Sequence, residues 1–213
     1  MQQKKPTIAE LQDEEQYVQI AALLYDEMIP FLQEVFTNRP PIIQHYIRLN
    51  ELIVALMLGL GIWQVWAGHI IWYQVFLYIF LGAAIALTVL VPVHEAIHGL
   101  AYKLLGAPRI SFGAELRKFY FYAVADRFVV GPDEFRKLAL APFAVISSVV
   151  VIGLILWPVG PVAWVLWGIL LMHTGACAGD FGMLAFYQQH PGGTIFTFDD
   201  VPGKVAYFFQ EKE

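Results

Sequence analysis

Two histidines four residues apart with a glutamate between them, His94-Glu95-Ala96-Ile97-His98, are the residues of this chain best suited to chemistry. On a helix that spacing is close to one turn, so both imidazoles can reach a single Zn²⁺ from one face. Glu95 then stands beside the metal as a general base for water rather than as a ligand. A catalytic zinc takes three protein ligands and keeps a further position open, so another ligand must come from elsewhere. Asp180 is the strongest candidate, the one acid in an otherwise apolar segment, because a carboxylate within a membrane span is costly enough to imply function. Glu115 and Asp126 are weaker candidates. His173, seven residues before Asp180 on the same helical face, either bonds a ligand or substrate or, more simply, is a buried histidine satisfied by a backbone carbonyl. His69 falls in a turn on the far side. Cys177 is the only cysteine, which excludes an intramolecular disulfide, and it reads as a small packed residue.

The elements that must hold these groups are membrane helices. Of 213 residues 58% are hydrophobic and 15% charged, outside the usual soluble range. Residues 52–93 and 138–179 each run without an Asp, Glu, Lys or Arg. One helix of that length would span about 63 Å, twice a ~30 Å hydrocarbon core, so each run crosses twice. The breaks are Trp66-Ala67-Gly68-His69 and Pro158-Val159-Gly160-Pro161. Four spans are expected, near 50–66, 70–92, 138–157 and 162–188. Trp63, Trp66, Trp72, Trp157, Trp164 and Trp167 all lie beside these turns, which places both turns at one membrane interface. Pro92 either kinks the second span or opens a new helix. His94 is about 26 residues, roughly 39 Å, inward from the first turn, and Asp180 about 20 residues, roughly 30 Å, from the second. Tilt and the Pro92 kink absorb the ~9 Å difference in depth.

Basic residues collect opposite those turns, at Arg39 and Arg48 and at Arg109, Arg117, Lys118, Arg127, Arg136 and Lys137. The positive-inside rule therefore puts both termini and the middle loop in the cytoplasm. Lys4 and Lys5 lead into polar and acidic sequence, so no signal peptide is expected. The net charge of −5 does not point to nucleic acid, since seven acids against two lysines in residues 1–37 account for it. Leu11, Val18, Tyr25 and Leu32, with Ala21, Met28 and Val35, recur every seven positions. They predict an amphipathic helix, kinked at Pro30 and ended by Pro40-Pro41, that packs on the bundle or pairs with another subunit. Segments 109–116 and 119–130 read as two or three short strands, whose edge could hold an extended peptide.

From His94 onward the chain resembles the zincin-like membrane peptidases, a family distantly similar to site-2 proteases. The resemblance rests on His94 to Gly99 leading into Leu105-Gly106, on Ile110-Ser111-Phe112-Gly113, on Tyr122-Ala123 and on Ala141-Pro142. It continues through Gly179-Asp180 to Asp199-Asp200, Gly203 and Tyr207. It implies metal ligation by His94, His98 and Asp180 with Glu95 catalytic. Phe181 departs from the site-2 proteases proper, which have Gly after their third-ligand Asp. The expected architecture is an all-α bundle of four transmembrane helices with a small cytoplasmic β-hairpin and the N-terminal helix, divided into residues 1–42 and 43–213. The expected function is a Zn²⁺-dependent metallopeptidase acting on peptides or membrane proteins near the cytoplasmic boundary. The rivals are a haem-binding membrane protein and an inactive scaffold.

Overall fold

The computed structural model describes residues 5–115 and 120–212. Lys4 and Leu116 to Phe119, including the basic pair Arg117-Lys118, lie outside the described residues. The described chain is 62% helical, and its four long apolar helical segments are Pro41–Trp66, Trp72–Leu104, Pro132–Leu156 and Pro161–Gln188. The first, third and fourth start before their expected positions of 50, 138 and 162, each opened by a proline, and the second starts two residues after its expected 70, past the turn at Gly68.

The first segment is one helix, α3 (Pro41–Trp66), opened by Pro41 at a position where a missing N–H costs nothing. The second comprises α4 (Trp72–Ile85), a π-helical turn (Ala86–Leu90) and α5 (Val91–Leu104). Pro92 has no N–H to donate and its ring crowds the carbonyl four residues back. Widening the preceding turn relieves that conflict and rotates α5 relative to α4. The third segment is α6 (Pro132–Leu156). The fourth, expected as one helix, is α7 (Pro161–Ala176) followed by α8 (Ala178–Gln188), with a break at Cys177, where ψ is 5°.

Glycines set the closest helix crossing. A Cβ at Gly82 of α4 would run into the Val165 carbonyl of α7, and one at Gly168 into the Ile79 carbonyl. Bare backbones in contact are how membrane helices gain packing energy without a hydrophobic drive. Around that crossing Ile53, Met57, Ile146, Val150, Trp164 and Leu170 form the core of the bundle. Gln64 of α3 is fully buried yet satisfied. Its amide donates to the Pro158 carbonyl at 3.2 Å and accepts from the Gly160 N–H at 3.0 Å and the Trp164 indole at 3.2 Å. This network puts both turns at the same end of the bundle. It also corrects the tryptophan reading. Trp63, Trp66, Trp72 and Trp157 face outward, but Trp164 and Trp167 are buried, the first because Gln64 gives its N–H a partner.

The N-terminal helix expected over the first forty residues is not present. That segment is a helical turn α1 (Ile8–Leu11), a strand β1 (Tyr17–Leu24) and a helix α2 (Met28–Asn38). Strand β1 pairs antiparallel with β5 (Val205–Glu211), which pairs with β4 (Ile195–Asp200), giving sheet order β1-β5-β4. Backbone pairing to a strand almost two hundred residues away overrides the local helical periodicity, and the seven-residue rows arise from unconnected elements. Pro30 sits in the first turn of α2, where it is tolerated. The expected hairpin is present as β2 (Ser111–Glu115) and β3 (Tyr120–Val124). All-α is therefore too narrow a description, since two small antiparallel sheets cap one end of the helical bundle. The outer edge of β4 is covered by single bridges from Asp126 and Val130 to Asp199 and Thr197, which blunts one of the two sheet edges.

Candidate metal centre

His94 and His98 lie one turn apart on α5, and the rotation at the π-turn aims both toward the start of α8. There the break at Cys177 brings Asp180 into the first turn of a new helix. The His94 and His98 Nε2 atoms are 3.1 Å apart. Asp180 Oδ2 is 3.3 Å from the first, and Oδ1 is 3.2 Å from the second. Ligands on a tetrahedral Zn²⁺ at about 2.0–2.1 Å stand roughly 3.3 Å from one another, so these separations fit one ion. Two further observations favour metal over a plain ion pair. Asp180 Oδ2 is buried without a hydrogen-bond partner among the described residues. His98 Nδ1 meets the Leu138 carbonyl of α6 at 3.1 Å, which fixes a proton on Nδ1 and leaves the Nε2 lone pair facing the carboxylate.

Glu95, between the histidines, hydrogen-bonds the backbone of Ala123 in β3. Gly99 lets Phe112 of the hairpin pack onto α5, and within the hairpin Gly113 leaves room for its cross-strand partner Tyr122. A Cβ on Gly99 would stand 2.7 Å from the Phe112 ring, and one on Gly113 would collide with Tyr122. The sequence elements His98-Gly99, Phe112-Gly113 and Tyr122-Ala123 thus form one device that seats β3 against the glutamate.

Among the other candidates, His173 is buried, its ring 5.7 Å from that of His94. It hydrogen-bonds the Pro142 backbone and lies 3.8 Å from Cys177 Sγ, as the simpler reading expected. His94, His173 and Cys177 could also gather round an ion, but that set shares His94 with the first and lacks a carboxylate. Glu115 is exposed at the end of β2. Asp126 accepts from the Val201 N–H at 3.0 Å and belongs to a turn. His69 is exposed at the far end, against Trp63.

A cavity of about 440 Å³ opens onto the centre. His94, Glu95, His98, His173 and Asp180 line it together with apolar side chains of α2, including Met28, Ile29 and Leu32. Leu32 reaches α8 because Gly182 has no side chain to block it. Sequence reading did not find the α2 wall, the Leu138 carbonyl or the Ala123 backbone. The last two are main-chain groups that carry no residue-type signal, and α2 arrives only through the β1–β5 pairing.

Residues 87–195 match the model of a family described as "Putative zincin peptidase". The chain belongs to that family. The match covers α5, the hairpin, α6, α7 and α8, so every residue of the His94, Glu95, His98 and Asp180 group falls within it. A zincin family implies zinc, which the donor set here suits. Neither the curated proteins nor the solved structures compared with the chain gave a match.

Proposed function

We propose that this protein is an integral membrane zinc metallopeptidase in which His94, His98 and Asp180 hold the metal and Glu95 is the catalytic base. The convergence of the three donors within 3.1–3.3 Å, beside an acid that donates nothing to them, carries the reading. When bound, Zn²⁺ supplies Lewis acidity to water and to the scissile carbonyl. Glu95 takes the proton from the attacking water on its carboxylate and passes it to the leaving amine. The Ala123 backbone holds that carboxylate in place, and the Leu138 carbonyl holds the His98 tautomer. Asp180 contributes the negative charge that keeps the pair of neutral imidazoles on a dication. An extended peptide adds alongside the hairpin, so that its backbone lies against the β3 edge nearest Glu95. Convergence on one point suits a single ion rather than the facing imidazoles of a haem.

The four long apolar helices carry large exposed side chains such as Ile62, Phe76, Phe80 and Ile155, which is the surface a bilayer would cover. The Lys and Arg distribution supports termini and hairpin in the cytoplasm. The metal centre then sits near the cytoplasmic boundary. The deciding experiment is metal analysis and peptide hydrolysis on purified protein. Wild type should carry about one zinc per chain, and Glu95→Gln should retain the metal while losing at least ~10²-fold in turnover. Full activity in Glu95→Gln would overturn the mechanism.

A further inference from the structure

We propose that Asp199, with Tyr25, forms a subsite in the cavity wall that receives an ammonium group of the substrate, either an amino terminus or a lysine side chain. The inference rests on the peptidase reading above. Asp199, on β4, lines the same cavity as His94, Glu95 and Asp180. Tyr25 crosses from the end of β1 and donates its hydroxyl to Asp199 Oδ1 at 3.0 Å. An ionised carboxylate has about four acceptor positions, so one tyrosine leaves most of its capacity unused.

No lysine or arginine stands among the described residues that line the cavity. Arg127 pairs its guanidinium with Asp200 at 3.6 Å, and its backbone N–H donates to the Asp199 main-chain carbonyl. Asp126 adds further negative charge from the adjoining turn. The Tyr187 hydroxyl, within electrostatic reach of Asp199, is buried with no partner among the described residues. Burial pushes the Asp199 carboxyl up to about 7, with the Tyr25 hydrogen bond opposing and Asp126 adding to the rise. An acid held in such a place gains most from a ligand that brings its own positive charge. One carboxylate and a phenol offer too few oxygens for Ca²⁺ or Mg²⁺, whereas an ammonium needs only a few acceptors. Met28, Ile29 and Leu32 on the same wall would meet apolar side chains flanking that ammonium.

Binding can be read without turnover in full-length, zinc-loaded Glu95→Gln protein in lipid nanodiscs. The probe is a fluorescent Leu/Ala peptide with a free amino terminus and one lysine. It is compared with its acetylated form, its norleucine form and the form carrying both changes. The amine-bearing peptide should bind about tenfold tighter than the doubly neutral one, the scale of a charge-assisted hydrogen bond. Loss on acetylation alone assigns the amino terminus, and loss with norleucine alone assigns lysine. Asp199→Asn should erase the preference while leaving zinc content and neutral-peptide affinity in place, and Tyr25→Phe, which removes the hydroxyl that orients Asp199, should weaken it. Equal binding of all four peptides, or a preference that survives Asp199→Asn, overturns the subsite alone. No binding by any of them overturns it together with the peptidase reading. The four-peptide comparison uses an intact Asp199, so it decides even where asparagine is not tolerated.

Discussion

Asp180 and the two histidines stand close enough that each substitution has a separate metal signature. Asp180→Ala reduces three donors to two and should remove most of the zinc. Asp180→Asn should weaken binding as well, because a neutral amide replaces a charged oxygen. His173→Ala should keep the metal, since His173 is bonded to the Pro142 backbone, and Glu115→Ala should leave it untouched, since Glu115 is exposed on the hairpin. Elemental analysis of these variants checks the ligand set without a known substrate, and retained zinc in Asp180→Ala would overturn it. Asp199 has a different signature. Its value of about 7 in the folded chain lies above the ordinary carboxylate range. Between pH ~4 and ~7 the folded chain therefore holds a proton that the unfolded chain has released, and stability falls as pH rises through that window. Asp199→Asn should melt a few degrees above wild type at pH 8, with the gap narrowing toward pH 5. A gap that widened toward pH 5 would reverse that assignment.

Helices hold the donors in register through contacts that tolerate little change. At the α4–α7 crossing, Gly168 faces the Ile79 carbonyl with no room for a Cβ. Gly168→Leu should force the helices apart, carrying α5 away from α8, and zinc content should drop although no ligand is altered. Gly59, with open space around it, is the control, and Gly59→Ala should bind zinc normally. Gln64 locks the two turns at the opposite end. Gln64→Leu leaves the Trp164 indole and the Gly160 N–H without an acceptor, at a cost of about 1–3 kcal/mol for each buried orphan. Thermal unfolding in detergent should show the loss, with zinc stoichiometry unchanged in the folded fraction.

Across the molecule, the N-terminal arm and the C-terminal strands form a single cap over one end of the bundle. Removing residues 1–26 would strip β1 from β5 and uncover Phe208, which packs with Tyr25 and Phe186. The truncated protein should aggregate or gain protease sensitivity in its C-terminal strands, because an apolar sheet loses both a partner strand and its cover. Reporter fusions at Gly68 and Gly160 should report one and the same face of the membrane, since Gln64 joins the turns at one end. Opposite faces would break the shared metal centre.

Four helices long and apolar enough to cross a membrane, the pairing of the turns and the gathering of His94, His98 and Asp180 were legible in the sequence. Hydropathy, helical spacing and the cost of a lone intramembrane acid are local properties that composition carries directly. The fate of the N-terminal segment was not legible, because Tyr17 to Leu24 has no strand partner until Val205 to Glu211 folds beside it. Nor could spacing reveal that Ala123 and Leu138 steady the site through main-chain atoms, which every residue type possesses alike. Asp199 was visible as a residue, but its place in the cavity beside Tyr25 depends on a contact across 174 positions. Local pattern selects the elements. Only their packing brings Tyr25, β4 and α2 around the cavity at the candidate metal centre, because the energy of those contacts belongs to pairs distant along the chain.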